Sequence, residues 1–155
     1  MPEVGDKAPD FALYDTEKKV RKLSEFLKER RRTIIAFFPG AFTSVCTQEM
    51  CTFRDMLGEL QRLKGELVGI SVDGPFAQKE FATKNNLNFP LLCDFKRETV
   101  KKYGVTWQTL GGVEGYDVAN RAIFIVDDHA KIVWKWVAPN PGTMPNFDLI
   151  KASLI

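Results

Sequence analysis

The sequence predicts an α/β fold: a central mixed β-sheet flanked by helices and led by an N-terminal β-hairpin. Three observations carry this. Apolar runs of strand length at residues 33–38 and 67–72 are continuous rather than alternating, as strands covered on both faces are. Helical patterns follow each of them, and a strand–helix–strand–helix–strand order makes a sheet with helices on both faces. Residues 122–126 and 131–137 then read as two strands around the turn Asp127-Asp128-His129-Ala130, an antiparallel hairpin that makes the sheet mixed.

Taken in order, residues 8–22 are extended segments punctuated by Pro9-Asp10 and Asp15-Thr16-Glu17, which suits a leading hairpin. Ser24 starts a short helix with Phe26 and Leu27 on its apolar side. The run ending in Phe37-Phe38 stops at Pro39. A long helix begins near Thr43 or Ser44. Its apolar stripe is Cys46, Met50, Phe53, Leu57, Leu60 and Leu63, at steps of three and four. Gly65 is expected to close it. Pro75 opens another helix, with Phe76, Phe81 and Leu87 as apolar anchors. Residues 89–93 form a short strand in which Pro90 marks the start or an edge. Residues 98–103 form a short helix stopped by Gly104, and the glycine-rich stretch 110–115 is a surface loop. Residues 139–145 are a second loop, and 147–154 a closing helix. This order is compatible with a thioredoxin-like architecture.

The chain has 155 residues, 45% of them hydrophobic, which suits one domain spanning residues 1–155. The 22 basic and 20 acidic residues are well mixed, so neither nucleic acid nor an anionic membrane is implied as a partner. The basic run Lys28-Glu29-Arg30-Arg31-Arg32 reads as a solvated connection. No apolar run approaches the ~20 residues of a membrane span. The N-terminal residues do not form a signal peptide, so a cytoplasmic protein is expected.

Three cysteines, Cys46, Cys51 and Cys93, are an odd count, and a reducing compartment disfavours a structural disulfide framework. Cys46 falls in the first turn of the long helix. There, unpaired backbone N–H groups and the positive end of the helix dipole favour a thiolate. The only histidine, His129, sits in the hairpin turn, so a Cys–His hydrolase or a triad would have no base at hand. A zinc site would need all three cysteines and His129, without the usual close pairs. No glycine-rich phosphate cradle is present. What remains is a thiol activated without a base, suited to soft electrophiles such as a peroxide oxygen or a disulfide. The other role open to Cys46 is that of a small core residue.

Pro39-x-x-x-Thr43-x-x-Cys46, continued by Thr47-x-Glu49, resembles the peroxiredoxin active-site motif. The flanks agree: Gly5-Asp6-Lys7-Ala8-Pro9-Asp10-Phe11 at the start, Thr52-Phe53-Arg54-Asp55 after the cysteine, Gly69-Ile70-Ser71-Val72-Asp73, and the Asn120-Arg121 segment. The similarity spans nearly the whole chain. Cys46-x-x-x-x-Cys51 resembles the bacterioferritin-comigratory-protein subfamily, also called PrxQ, while residues 39–43 are also similar to single-cysteine and peroxiredoxin-5-like members.

The resemblance implies a thioredoxin-dependent peroxidase that reduces hydrogen peroxide and small organic hydroperoxides. Cys46 would be the peroxidatic cysteine, passing through a sulfenic acid. Thr43 would hydrogen-bond the peroxide and Pro39 would shield the thiolate. Arg121 would stabilise the thiolate and the leaving oxygen, and Glu49 would orient that arginine. Cys51 would resolve Cys46 in an intramolecular disulfide, recycled by thioredoxin or a glutaredoxin-like dithiol. No metal, haem, flavin or nicotinamide is implied. Monomer and homodimer both fit.

Several residues have plainer roles open to them. Thr43 could serve as a helix N-cap, Pro39 as a strand terminator, Arg121 as a surface strand-edge residue and Cys51 as a passive cysteine. Cys93 reads as structural, with resolution as its other role. Trp134 and Trp136 share a strand face, to be packed in the core or offered to a partner. Two further mechanisms compete: a one-Cys enzyme with an external resolving thiol, and a slow-turnover redox sensor or chaperone-like module. A disulfide oxidoreductase is disfavoured because no Cys-x-x-Cys pair is present.

Overall fold

A computed structural model describes residues 1–155. The leading hairpin is β1 (Ala12–Asp15) against β2 (Val20–Lys22), antiparallel. One helical turn, α1 (Leu23–Phe26), follows; it starts a residue before Ser24 because the Glu25 carboxylate accepts from the Lys22 amide and caps it there. Strand β3 (Arg32–Phe37) leads into α2 (Ser44–Arg62), and β4 (Gly65–Ser71) leads into α3 (Pro75–Lys84). Then come β5 (Leu91–Cys93), α4 (Glu98–Lys102), β6 (Thr106–Trp107), a 3₁₀ turn at Leu110–Gly112, and β7 (Val118–Ala119). Strands β8 (Ala122–Val126) and β9 (Ile132–Val137) and helix α5 (Phe147–Ala152) complete the chain.

Seven strands form one mixed sheet in the order β2-β1-β5-β4-β3-β8-β9. The β3–β4 and β4–β5 pairs are parallel, and β8 returns antiparallel to β3. Strand β3 thus lies deep in the sheet, buried on both faces as its unbroken apolar run requires. One face packs Ile34, Ala36 and Phe38 beneath Met50 and Phe53 of α2, Phe81 of α3 and Ile150 of α5. The other packs Ile35, Phe37 and Phe124 against α1, Val100 of α4 and Tyr103. The Trp134 and Trp136 side chains are half-buried on the α2 side, on the edge strand β9. No helix is long and apolar enough to cross a membrane.

Three local expectations change, and of the two readings of Pro90 the start of the strand holds and the edge does not. Helix α2 is not closed by Gly65; the left-handed residue is Lys64 (φ 63°), and Gly65 already opens β4. A Cβ on Gly65 would lie 2.7 Å from Leu154 Cδ1 and 3.0 Å from the Leu60 carbonyl oxygen, so a larger residue there would have to displace the end of Leu154 and crowd the last turn of α2. Phe76 is no anchor: it is 78% exposed, with the Lys18 ammonium 5.5 Å from its ring centroid. Five residues rotate a helix by ~140°, so Phe76 and Phe81 cannot share a face. Leu87 packs against the core from the loop beyond α3, which ends at Lys84. Strand β5 is interior, between β4 and β1, and Pro90 sits just before it, its carbonyl accepting from the Gly69 amide at 3.0 Å. The small β6–β7 sheet flanking the glycine-rich loop carries too few residues for a periodicity signal.

Candidate active site

The site lies beyond the carboxyl end of β3, where open α/β sheets place their ligands. Pro39 and Gly40 are buried directly after the strand. The chain then turns through Phe42, which takes a left-handed conformation (φ 67°), a strained geometry for a bulky residue. Thr43 is the N-cap residue of α2, with extended backbone, but its hydroxyl donates to Gly40 O at 2.9 Å and caps no helix amide. The Thr47 amide makes the first bond of the helix, to Thr43 O. The amides of Ser44, Val45 and Cys46 precede that bond and form an electropositive helix start.

Cys46, in this first turn, is fully buried. Arg121 Nη2 donates to its Sγ at 3.4 Å. Arg121, one residue before β8, is no surface edge residue: it is 1% exposed. Its Nη1 donates to Glu49 Oε1 at 2.9 Å, and its Nε and Nη2 both reach the carbonyl of Pro141, at 3.1 and 2.7 Å. Its backbone is fixed by Asn120, whose Oδ1 accepts from the Arg121 amide and whose Nδ2 donates to Ala138 O. Helix α2 places Cys46 and Glu49 three residues apart, on one face.

The electrostatics follow from burial. Burial pushes the Glu49 carboxyl up to about 7, outweighing the attraction of Arg121. Glu49 Oε2 has no hydrogen-bond partner. Burial opposes the charge on Arg121, but Glu49 and Cys46 together outweigh it and hold the guanidinium protonated more firmly than usual. The arrangement is a buried, planar cation with one edge on a sulfur and another on a carboxylate. It can stabilise negative charge at Cys46 and on an atom next to it.

The remaining cysteines lie apart from this group. Cys51 is half-buried on a different face of α2, where its Sγ lies 3.7 Å from Asn85 Oδ1 and 3.6 Å from Arg54 Nη1. Cys93 is buried in β5, and its thiol is pushed up to about 12, first by burial and then by Asp73 and Asp15. All three cysteines are free thiols. His129 has an 86% exposed side chain beside Asp128 in the β8–β9 turn, and offers no base to Cys46.

Pro141 and Asn120 escaped the sequence reading as site residues. Pro141 acts through a backbone carbonyl, which leaves no side-chain signal, and Asn120 was visible only as the neighbour of Arg121.

The AhpC/TSA family profile matches residues 4–135. The chain is 34% identical over 130 residues to "Peroxiredoxin Bcp" of Escherichia coli K12, covering 84% of this chain and 82% of that one. Among solved structures it is similar to peroxidoxin BcpB of Mycobacterium tuberculosis, with TM-score 0.86, 29% identity, and 99% and 97% of the two chains covered. It is also similar to a peroxiredoxin-like protein of Aquifex aeolicus, with TM-score 0.85, 26% identity, and 99% and 86% covered.

Proposed function

The chain belongs to the AhpC/TSA family and is a peroxiredoxin, and from that premise we propose that Cys46 is its peroxidatic cysteine and Cys51 its resolving cysteine. The observation that carries the first assignment is the 3.4 Å contact from the buried Arg121 guanidinium to Cys46 Sγ at the start of α2.

The Cys46 thiolate attacks one oxygen of hydrogen peroxide or a small organic hydroperoxide. An S–O bond forms as the O–O bond breaks. The leaving oxygen takes up a proton and departs as water or alcohol, and Cys46 is left as a sulfenic acid, oxidised by two electrons. Charge moves from sulfur to the leaving oxygen, and Arg121 stabilises it along that path. Glu49 and the Pro141 carbonyl hold the guanidinium plane. The Thr43 hydroxyl, now bonded to Gly40 O, turns to the peroxide, and buried Pro39 shields the sulfur from water.

Cys51 then attacks the Cys46 sulfur, an S–S bond forms and water leaves. Five residues along an intact helix separate the two Cα atoms by ~8.6 Å, beyond the ~6.8 Å that a disulfide spans. The first turns of α2 therefore unwind in each cycle, so the site alternates between a folded, peroxide-reactive form and an unwound, disulfide form. A thioredoxin or similar dithiol reduces the disulfide, and the cytoplasm supplies such reductants.

The test is peroxide consumption driven by thioredoxin, thioredoxin reductase and NADPH. Sustained turnover that is lost in Cys46→Ser is expected. Oxidation without turnover would instead identify a slow redox sensor, and turnover retained in Cys51→Ser would remove Cys51 as resolver and leave Cys93 or, in a one-Cys cycle, an external thiol.

A further inference from the structure

Behind the active-site loop lies a buried polar chain with no part in the chemistry above. Gln78 Nε2, on α3, donates to Ser71 Oγ at 2.8 Å and to Leu92 O at 3.2 Å. Ser71 Oγ donates to Asp73 Oδ2 at 2.6 Å. The same Asp73 oxygen accepts the Ala41 amide at 2.7 Å. Gln78 and Ser71 are fully buried. Ala41 lies between Gly40 and the left-handed Phe42, whose ring meets Phe81 edge-on at 5.4 Å. A bulky residue in that conformation persists only where its surroundings over-determine it. Here two contacts do so, the carboxylate on the Ala41 amide and the ring on Phe81.

We propose that Asp73 is a positioning residue for the peroxide step: through the Ala41 amide it holds the strained loop, and with it the start of α2, in the peroxide-reactive form. The inference rests on the peroxidatic reading of Cys46. A carboxylate bonded to a backbone N–H is a charge-assisted contact, among the stronger hydrogen bonds available. Ser71 and Gln78 aim that carboxylate at the loop. Unwinding to reach Cys51 has to carry residues 42–50 away from this anchor, so Asp73 weights the balance toward the folded form without touching substrate.

The experiment is rapid-quench mass spectrometry of the reduced protein with a hydrogen peroxide excess. It reads oxygen addition at Cys46 and closure to Cys51 as two separate rates, for the wild type, Asp73→Asn and Asp73→Ala. Global stability is measured by urea unfolding of the same proteins. Loss of the charge in Asp73→Asn is expected to slow oxygen addition by about tenfold, and Asp73→Ala to slow it further. Closure is expected to be unchanged or faster, and the urea midpoint of Asp73→Asn to fall only slightly, by the worth of one native contact. A reactive wild type with an equally reactive Asp73→Asn overturns the inference alone. So does a parallel fall of both rates and the urea midpoint, which would make Asp73 merely structural. A wild-type Cys46 that takes up no oxygen overturns the peroxidase reading and this inference with it.

Discussion

Arg121 serves Cys46, Glu49 and the Pro141 carbonyl at once, and only a planar guanidinium can do so. Arg121→Lys keeps a positive charge but can satisfy one or two of these partners. Its rate with hydrogen peroxide is expected to fall by at least about tenfold, toward the ~10²-fold typical of a lost charge-stabilising donor, measured by single-turnover kinetics. Glu49 carries a pH signature. Its carboxyl titrates at about 7 when folded, above its ordinary value. The native state therefore binds a proton more tightly than the unfolded chain, and the stability this gives is present below pH ~4.5 and lost as pH rises through ~7. Urea unfolding of the wild type against Glu49→Gln is expected to shift in favour of the variant over that range, by up to about 3 kcal/mol. A pH-independent difference would mean that Glu49 stays ionised throughout. At this scale the sequence exposed the residue types and their spacing. It did not expose the burial of Arg121, which depends on β3, α2 and the loop after β9 meeting in space.

The start and apolar face of helix α2 were legible because its stripe of Cys46, Met50, Phe53, Leu57 and Leu60 is a clear 3.6-residue period, and those side chains are buried; its end was not, because Lys64 rather than Gly65 takes the left-handed turn. Helix α3 was legible only in part. Its buried face consists of Gln78 and Phe81, and a polar residue committed to a buried network looks like a surface residue in the sequence. The proposed unwinding of α2 has a consequence for the cysteines. Cys51→Ser is expected to leave oxygen addition at Cys46 intact and to accumulate sulfinic acid under excess peroxide, because nothing then traps the sulfenate. Cys93, with a thiol pushed up to about 12 in the interior of the sheet, is expected to resist alkylation in the native protein. Cys93→Ala should leave the peroxide-driven loss of the other two thiols unchanged; a loss of closure in that variant would make Cys93 the resolver.

The whole molecule is a sheet that carries α2, with Cys46 in its first turn, on one face and is braced from the other. Its β3–β4–β5 parallel centre and the β8–β9 hairpin followed from apolar runs and turn residues. The β6–β7 pair and the place of the leading hairpin beside β5 did not, because strand partners far apart in the chain leave no local mark. Close packing across the α2 face makes one global forecast. A Cβ at Gly69 would lie 2.8 Å from Leu91 Cδ2 and 3.3 Å from the Phe38 ring, directly under Met50. Gly69→Ala is expected to cost about 1–3 kcal/mol, read as a lowered thermal midpoint.

The central claim, that Cys46 reacts with peroxide and Cys51 closes on it, is tested most directly by intact-mass spectrometry. The reduced protein receives one equivalent of hydrogen peroxide and its remaining thiols are then blocked. Loss of two blockable thiols with no added oxygen, mapped by digestion to Cys46 and Cys51, is the expected result. A persistent single oxygen on Cys46 would contradict the role of Cys51, and an unchanged mass would contradict the peroxidatic role of Cys46 itself.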